Sequence, residues 1–549
     1  MRKLPIGIDN FKKIIEGGYY YVDKSMLIAD ILEQSSEAFI FNRPRRFGKT
    51  VTSTMLFSFF DIMHTDQHRK LFEHLEIAKT EYFAEQGQSP VVYFSFKDMG
   101  STNITEFKTA FFKAVRYYLS ECSFLYERLS KGDQEVYTDL TQNSNSIFLN
   151  NALFFLTKFF YAYFGRPVIL LVDEVEKPGY DSYWHNYYEE LSDFLRVLYS
   201  SSLRGNPYLR FAVLFGIMRS TQDGFFTELV NNKFCTVLDS GFDDRFGFTK
   251  EEVAASLDEY GYDDQLDSVL EWYGGYRIGG TTVCNPWSVI NFLQTGNLSP
   301  YWVNSVSEDL IEIIFRLSHD TVYKDMNTLF NGESIKKFIV RNLSFPVVMQ
   351  QKKIWSLLLY NGYLTLDSHQ DESDYCYIRL PNIELFNFFQ NGFLEKFVGL
   401  NNFHFEELLN SLRGSNIKGD HSFESNMQEI FTKKISEYEV DNRETFYYGF
   451  MACMVLALKE EYKCYSTIEG KTEKIELILI PKDKKREGYV FAFKVIDIGG
   501  SFKETMEEAL KGIEQKKYKA LFLENGVKKA AAVAVSFYED TLRVLYRNM

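Results

Sequence analysis

The chain has 549 residues, 45% of them hydrophobic and 17% aromatic, which is enough apolar material for the cores of about three or four domains. Its formal net charge of −14 argues against a general nucleic-acid-binding surface, and six cysteines without a Cys-x-x-Cys spacing indicate neither a disulfide framework nor a cysteine zinc site. Because the longest apolar run, near Met451–Leu458, is too short to span a bilayer, we expect a cytoplasmic protein without a membrane segment.

The most informative segment is Phe39–Thr50, in which a short apolar run is followed by a polar turn that ends in Gly-Lys-Thr. A helical pattern follows at Val51–Phe60, and the order strand, loop, helix predicts a phosphate-binding loop. Loop amides and the helix N-terminus attract phosphate, Lys49 adds a mobile positive charge, and the Thr50 hydroxyl can ligate Mg²⁺. Arg43 stands where such loops usually have their first glycine, and a bare Gly-Lys-Thr also occurs by chance. The predicted nucleotide-binding residues are Arg45, Arg46, Gly48, Lys49 and Thr50.

Two histidines occur in the next predicted helix. His64 and His68 are four residues apart there, and we identify no third ligand for a metal ion near them. We therefore expect both to be surface residues.

A second motif begins after Pro167. The hydrophobic run Val168–Asp173 predicts a buried strand that ends in two carboxylates. At such a position Asp173 can hold the water shell of Mg²⁺, so that Thr50 and Asp173 are the predicted metal residues, and Glu174 can deprotonate an attacking water molecule. The alternative is a strand that ends in a solvated acidic turn. Because the two motifs occur in the right order, each after a strand, we favour a P-loop nucleoside triphosphatase.

Strand and helix patterns alternate through this part of the chain. The alternation predicts a parallel sheet covered by helices on both faces, with ligands at the carboxyl ends of the strands. One strand and two long helical segments separate the loop from the Asp-Glu pair, which suits the P-loop class that inserts a strand between its two nucleotide-binding strands. Arg219 follows the fourth strand and is a candidate γ-phosphate sensor, with a surface arginine paired to an acid as an equal alternative. The predicted strands are Phe39–Asn42, Val91–Phe96, Val168–Asp173, Phe211–Gly216 and Cys235–Asp239.

The next segment, residues 245–330, is predicted to form a helical lid. Gly247-Phe248-Thr249 followed by two glutamates predicts a helix start. Thr249 would be the N-cap, and Glu252 would occupy the third helical position of a capping box.

Residues 331–430 are predicted to form a winged-helix-like and helical module. Within Ile354–Pro381, a helical pattern leads into two extended segments, as in a helix followed by a two-stranded wing. The loop between the two segments, His369–Asp374, is acidic. We therefore favour packing against the rest of the chain over DNA binding for this module.

The chain resembles the AAA-ATPase-like family of prokaryotic proteins, in which a P-loop domain precedes a PD-(D/E)XK nuclease-like domain. The resemblance implies ATP and Mg²⁺ as cofactors. The loop also resembles that of signal-transducing, switch-type ATPases, which have glycine in place of Arg43. The segments that carry the family resemblance are LPIGI (Leu4–Ile8), YVDKS (Tyr21–Ser25), RPRRFGKT (Arg43–Thr50), LLVDEVEKP (Leu170–Pro178), GFTKEEV (Gly247–Val253), WYGGY (Trp272–Tyr276), NPWSV (Asn285–Val289) and GYLTL (Gly362–Leu366).

The C-terminal part alternates helix and strand patterns in the order of that nuclease fold. From Phe431 onward 21 Lys and Arg residues stand against 19 Asp and Glu residues, and a near-neutral tail on an acidic chain is compatible with a phosphate-facing cleft. The predicted elements are Thr445–Leu458, Lys474–Ile480, Tyr489–Ile496, Phe502–Gln515 and Ala531–Phe537.

The nuclease site that the resemblance implies is incomplete in this chain. Family members have an acid on the first strand, where Glu476 stands, and Glu-x-Lys on the second, where the chain has Ala492, Phe493 and Lys494. Two carboxylates are needed to hold the metal ion that activates water. Strand alternation turns Asp497 away from this face, and the usual glutamine of the next helix is Gly512. We therefore expect a degenerate site at Glu476, Ala492 and Lys494, without nuclease chemistry.

The sequence thus predicts an α/β multidomain protein with a P-loop parallel sheet (1–244), a helical lid (245–330), a winged-helix-like and helical module (331–430) and a degenerate nuclease-like domain (431–549). It would bind ATP and hydrolyse it, while the C-terminal domain contacts nucleic acid, a protein partner or a second copy of the chain. One alternative is an ATP-regulated, metal-dependent nuclease with a relocated carboxylate, and another is a nucleotide-binding scaffold that does not hydrolyse. The predicted catalytic residues are Glu174, Lys49 and Arg219.

Overall fold

The structure is a computed structural model whose residues cluster into two compact units. One unit contains Met1–Val306 and Lys336–Glu384, and the other contains Ser307–Ile335 and Leu385–Met549. The residues that the structure describes are 1–217, 232–303, 325–326, 328–341, 353–370, 374–397, 403–414, 421–437, 454, 457–458, 461–469, 474–496, 499–516, 518–538 and 541–549.

The elements of the first unit alternate between strands and helices over its first 217 residues. Its strands are β1 (Ala38–Asn42), β2 (Val91–Ser95), β3 (Val168–Asp173), β4 (Leu209–Gly216), β5 (Asn232–Cys235), β6 (Tyr276–Ile278), β7 (Thr281–Val283), β8 (Ile335–Phe338), β9 (Thr365–Gln370) and β10 (Tyr375–Arg379). Its helices are α1 (Phe11–Glu16), α2 (Met26–Leu32), α3 (Lys49–Phe60), α4 (Thr65–Arg69), α5 (Ile104–Glu121), α6 (Lys131–Gln142), α7 (Ala152–Phe164), α8 (Lys177–Trp184), α9 (Tyr188–Leu203), α10 (Lys250–Tyr260), α11 (Leu266–Tyr273), α12 (Pro286–Thr295) and α13 (Ile354–Tyr360).

The first five strands form one parallel sheet in the order β2-β3-β4-β1-β5. β4 lies between β1, which leads into the Gly-Lys-Thr loop, and β3, which ends at Asp173. This is the inserted-strand arrangement that the sequence predicts. Because the strands are parallel, their carboxyl ends meet at one edge, where a ligand can reach several of them.

The first four predicted strands agree with the structure to within two residues at each end. The sequence places the fifth strand at Cys235–Asp239, but it lies at Asn232–Cys235, so that prediction was wrong beyond Cys235. The Asp239 carboxylate accepts hydrogen bonds from the Thr236 amide and hydroxyl, at 2.9 and 2.6 Å. These bonds close a turn where the extended chain was expected.

Apolar side chains cover both faces of the sheet, as alternation along its strands requires. In β1, Ala38 and Ile40 face a core built with α5, α7 and α9, whereas Phe39 and Phe41 face a core built with α2 and α3. All five residues of β1 are buried, so the strand is held from both sides. This burial fixes the point at which the chain turns into the loop.

The capping box predicted at the start of α10 is confirmed. The Thr249 hydroxyl accepts from the Glu252 amide at 3.3 Å, and the Glu252 carboxylate accepts from the Thr249 amide at 2.8 Å.

Further along, α13 leads into β9 and β10, which pair antiparallel, and β8 completes a three-stranded sheet in the order β8-β10-β9. The helix and the two extended segments therefore occur where the sequence places them, while the boundaries of the four domains stay predictions.

The second unit contains a mixed sheet in the order β11-β12-β13-β14-β15, in which only the β13–β14 pairing is parallel. One face of this sheet packs its apolar side chains against α17. Together with the parallel sheet of the first unit, it confirms the α/β multidomain fold class. Most of the predicted element Thr445–Leu458 lies outside the described residues. The elements are α14 (Ile383–Phe397), α15 (Phe403–Arg413), α16 (His421–Glu437), β11 (Tyr462–Glu469), β12 (Lys474–Pro481), β13 (Gly488–Val495), α17 (Phe502–Gln515), α18 (Tyr518–Glu524), β14 (Ala530–Tyr538) and β15 (Thr541–Asn548).

Within the described ranges, the chain has no helix that is both long enough and apolar enough to cross a membrane.

Candidate functional site

The loop between β1 and α3 contains two residues in the left-handed region of backbone space. Gly48 is the N-cap of α3 with φ +83°, and Arg46 has φ +65°. Glycine adopts this conformation without strain, whereas arginine rarely does. Left-handed residues in a turn aim successive backbone N–H groups into one concavity, which suits an anion such as phosphate. The backbone of the loop is therefore compatible with the phosphate-binding role that the sequence predicts.

Arg43, which replaces the usual first glycine, has a buried side chain that bonds to backbone carbonyls. Its Nη1 donates to the Asn42 oxygen at 3.0 Å and to the Cys235 oxygen at 2.6 Å, and its Nη2 donates to the Phe242 oxygen at 3.3 Å. The guanidinium also lies 5.1 Å from the centre of the Phe246 ring. Burial lowers the pKa of Arg43 to about 10. The arginine thus joins the end of β1 to β5 and to the segment after it.

Lys49, the first residue of α3, is 9% exposed and bonds to its own loop. Its Nζ donates to the Arg43 and Pro44 oxygens, both at 2.8 Å. Burial lowers the pKa of Lys49 to about 8, although the Glu176 and Asp173 carboxylates oppose this shift. A further negative charge beside this ammonium group would favour its protonated form and raise its pKa.

Asp173 ends β3 with its carboxylate 1% exposed and turned toward α3. Its Oδ1 accepts from the Glu174 amide at 3.0 Å, and its Oδ2 is 3.4 Å from the Ser53 hydroxyl. Burial raises the pKa of Asp173, while a hydrogen bond from the Thr50 side chain and the charge of Lys49 lower it. The structure therefore brings together Thr50 and Asp173, the two residues predicted to lie at the metal ion.

Glu174 follows directly, and its backbone is strained. Its φ is +55°, a conformation that costs a residue with a side chain about 1–3 kcal/mol and that is concentrated at functional sites. Its side chain is half-buried, and burial together with the neighbouring Asp173 charge raises the pKa of Glu174. Lys49, Lys97 and Arg45 are the positive charges that oppose this increase.

Two residues of this edge were missed by the sequence analysis, Asn42 and Glu176. Glu176 Oε2 and both amide atoms of Asn42 are buried and have no hydrogen-bond partner among the described residues. A Cβ atom placed on Gly216 would lie 2.9 Å from Glu176 Oε2 and 3.5 Å from Asn42 Nδ2, so both groups approach the end of β4. Burial raises the pKa of Glu176, and the Lys49 charge opposes the increase. For Asn42 the sequence did contain a signal, because β1 is otherwise apolar and ends in this polar residue.

The three predicted arginines differ in what the structure shows of them. Arg45 is partly buried and is one of the charges that act on Lys49, Glu174 and Glu176. Arg46 is exposed, and its guanidinium lies 4.4 Å from the centre of the Trp287 ring. Arg219 lies outside the described residues.

In the second unit, the predicted residues Glu476 and Ala492 lie directly opposite each other on β12 and β13. Glu476 is buried, and its Oε2 accepts from Lys516 Nζ at 3.0 Å and from the Tyr518 hydroxyl. Lys494 pairs instead with Glu508 of α17, at 3.3 Å between Nζ and Oε1. A lysine and a tyrosine therefore bond to the carboxylate that the sequence analysis considers as a metal ligand. Asp497, which alternation turns away from this face, is outside the described residues.

Comparison with known proteins agrees with this architecture. A family model described as "Predicted AAA-ATPase" matches residues 5–226, and a PD-(D/E)XK nuclease superfamily model matches residues 442–546. An uncharacterized protein in the vnfD 5′ region of Azotobacter chroococcum mcd 1 is 30% identical over 389 residues, which cover 70% of this chain and 68% of that protein. The chain belongs to the family of AAA-ATPase-like proteins that carry a C-terminal PD-(D/E)XK nuclease superfamily domain.

Proposed function

We propose that this protein binds ATP with Mg²⁺ at the Arg43–Thr50 loop and hydrolyses it. The observation that supports this most directly is the contact between α3 and the end of β3. The Ser53 hydroxyl, in the second turn of the helix, lies 3.4 Å from the buried Asp173 carboxylate, and the Thr50 side chain at the start of the helix interacts with the same carboxylate. Two segments more than a hundred residues apart in the chain thus combine at the carboxyl edge of a parallel sheet, where α/β proteins bind their ligands.

The oxygen atoms of Thr50 and Asp173 fit Mg²⁺, which prefers hard oxygen ligands and retains several of its water molecules. When bound, the ion would polarise the phosphate oxygens and neutralise charge that develops on them. Lys49 would exchange its bonds to the Arg43 and Pro44 oxygens for bonds to phosphate. Because phosphate is negative and the loop carbonyls are only dipolar, this exchange favours the charged ammonium.

Glu174 is the proposed general base. Its raised pKa brings the carboxylate closer to the pH at which it can accept a proton from water, which is what general-base catalysis needs. Asn42 would position the attacking water or the terminal phosphate and Glu176 would position the water, since their unsatisfied polar atoms both lie beside the end of β4. Arg219 remains a candidate γ-phosphate sensor on its sequence position alone.

A thermal-shift measurement with ATP and Mg²⁺ tests the binding site. A ligand that binds only the folded protein stabilises it by about 2.7 kcal/mol at a hundredfold excess over Kd. The parent should show this shift, and Lys49→Ala should lose most of it. Lys79→Ala is the matched control, because Lys79 is 68% exposed and pairs with Glu76 on the surface. Equal shifts in the parent and Lys49→Ala would contradict the assignment.

For the C-terminal domain we propose a nuclease fold that has lost its chemistry and contacts nucleic acid or a protein partner. The Lys516 ammonium lies 3.0 Å from Glu476, where it neutralises the carboxylate that a metal ion would need. Ala492 is buried in the apolar core beneath α17, so the second carboxylate is replaced by packing. One carboxylate that is already paired holds a divalent ion poorly.

One observation favours a second candidate, an active nuclease with a relocated carboxylate. Glu508 extends from α17 to Lys494, so an acid does lie beside the lysine of the degenerate site. The Glu508 side chain is 68% exposed and could turn toward a metal ion that substrate phosphates help to bind. Cleavage assays with Glu508→Gln separate this candidate from the inactive domain.

A further inference from the structure

A second cluster of polar side chains lies at the C-terminal end of α3, where a short 3₁₀ turn, Ile62–His64, leads into α4. The sequence predicts His64 and His68 as surface residues without a third ligand. For His68 this is wrong, since its side chain is 3% exposed, and Asp61 at 2% exposure lies beside it. One ring nitrogen of each histidine and a carboxylate oxygen of Asp61 lie within 4.8 Å of one another.

The contacts within the cluster leave one buried nitrogen unsatisfied. Asp61 Oδ2 is 2.6 Å from His64 Nδ1, a hydrogen bond that satisfies His64. His68 Nδ1 is 3.6 Å from the same oxygen, beyond hydrogen-bonding distance, and no other residue of the described structure bonds to it. Buried polar atoms are nearly always paired, so an exception calls for a ligand or another explanation. A cation at the centre of the three groups would satisfy it.

The backbone that carries these side chains is fixed by the segment that leads into β2. The Ile62 amide donates to the Ser89 oxygen at 3.0 Å, and the Ser89 amide donates to the Phe60 oxygen at 3.1 Å. The Thr65 hydroxyl donates to the Gly87 oxygen at 3.2 Å. Rigid support of this kind holds a ligand set in place before the ion arrives, which is a requirement for tight metal binding.

We propose that Asp61, His64 and His68 form a binding site for a divalent transition-metal ion of the zinc class. Two imidazole nitrogens and one carboxylate are a ligand set that zinc uses, with bonds of about 2.0–2.2 Å and water at the open fourth position. His64 is 43% exposed, so an ion can reach the cluster from solvent at this side chain. Imidazole favours zinc over magnesium, which distinguishes this site from the proposed Mg²⁺ site.

The ion would join the end of α3 to α4, at the point where the segment before β2 supports the backbone through hydrogen bonds. Because α3 has 12 residues and a helix rises about 1.5 Å per residue, the cluster lies about 18 Å from the nucleotide loop at the other end of the helix. The site therefore shares no residue with the proposed ATPase site, and a bound ion would hold the opposite end of the helix that carries Lys49 and Thr50.

Titration of the full-length, untagged protein with Zn²⁺ alone, in competition with a chromophoric chelator, tests this site. The parent should bind one ion, and His64→Ala should lower the affinity by at least about 10–100-fold, the loss typical for disturbing even an outer-shell partner of a metal ion. Asp61→Asn should have a similar effect. His74→Ala is the control, since His74 is exposed on the segment that follows α4 and should leave binding unchanged.

Co²⁺ gives a second readout, because a site with these ligands produces visible absorption bands that the His64→Ala protein should lack. Far-ultraviolet circular dichroism shows whether each variant is folded, and His64 is exposed enough that its removal should not disturb the core. A parent that binds no Zn²⁺ at stoichiometric concentration, or equal affinity in the parent and His64→Ala, would overturn the proposal. These outcomes do not depend on ATP, so they leave the proposed function untouched.

Discussion

The pH dependence of ATP affinity is the most informative prediction, because it depends on the charge of one buried side chain. Burial lowers the pKa of Lys49 to about 8 in the free protein. Phosphate bound beside the ammonium would raise that pKa again, since an opposite charge favours the protonated form. ATP binding at high pH must therefore be accompanied by proton uptake, so affinity should fall as the pH rises through 8.

The size of the effect follows from the same pKa. About nine-tenths of the Lys49 side chains are charged at pH 7 and about one-tenth at pH 9. If the bound state keeps the ammonium charged throughout this range, the apparent Kd rises about tenfold from pH 7 to pH 9, which corresponds to about 1.4 kcal/mol.

Equilibrium binding of ATP at pH 7, 8 and 9, with Mg²⁺ in excess, measures this slope. Lys49→Arg is the informative variant, because a guanidinium stays charged over the whole range and should remove the slope even where affinity is weaker. Lys79→Ala, a change at an exposed lysine, should keep it. An affinity in the parent that does not change between pH 7 and 9, or the same slope in Lys49→Arg, would refute the reasoning.

Two further predictions concern acids of the nucleotide site, and a third concerns the C-terminal domain. Glu174→Gln should keep ATP binding and lower phosphate release by about 10²–10⁴-fold, because the amide cannot accept a proton from water; a parent that releases no phosphate would instead favour a non-hydrolysing scaffold. Glu176→Gln should move the midpoint of the pH profile downward, because the Glu176 charge supports the protonated form of Lys49; an unchanged midpoint would show that the two groups do not interact. The parent should not cleave supercoiled or single-stranded DNA or RNA with Mg²⁺ or Mn²⁺. Cleavage that disappears in Lys494→Ala would prove the inactive-nuclease proposal wrong, and its loss in Glu508→Gln as well would identify the relocated carboxylate.

Local patterns were sufficient for much of the fold. The bounds of α17 and of β3 match the predicted ones residue for residue, and the Thr249–Glu252 capping box forms as expected. The helix and the capping box depend on side chains and amides only a few positions apart, and the uninterrupted apolar run of β3 marks a buried strand even though its pairing partners are distant. The fifth strand was misplaced because its position is set by pairing with β1, and that partner is nearly 200 residues away.

The sequence also identified Lys49, Thr50, Asp173 and Glu174 as one candidate site, since motif order and strand context carry that information. Their chemical roles, the domain boundaries and the inactive nuclease stay predictions. The sequence could not indicate that Arg43 bonds to the Cys235 carbonyl of β5, although it did show that the residue departs from the usual glycine.

By itself, then, the sequence determined the family, the first four strands of the parallel sheet and the residues of its motifs. Only the tertiary structure placed Glu176 and Asn42 beside the end of β4, Lys516 against Glu476, and Asp61 beside His68. The physical reason is that these contacts depend on which elements pack together and on how deeply each polar atom is buried. Burial shifts the pKa of a titratable group, and it can leave a polar atom without a hydrogen-bond partner. Neither effect can be recognised from the residue types alone.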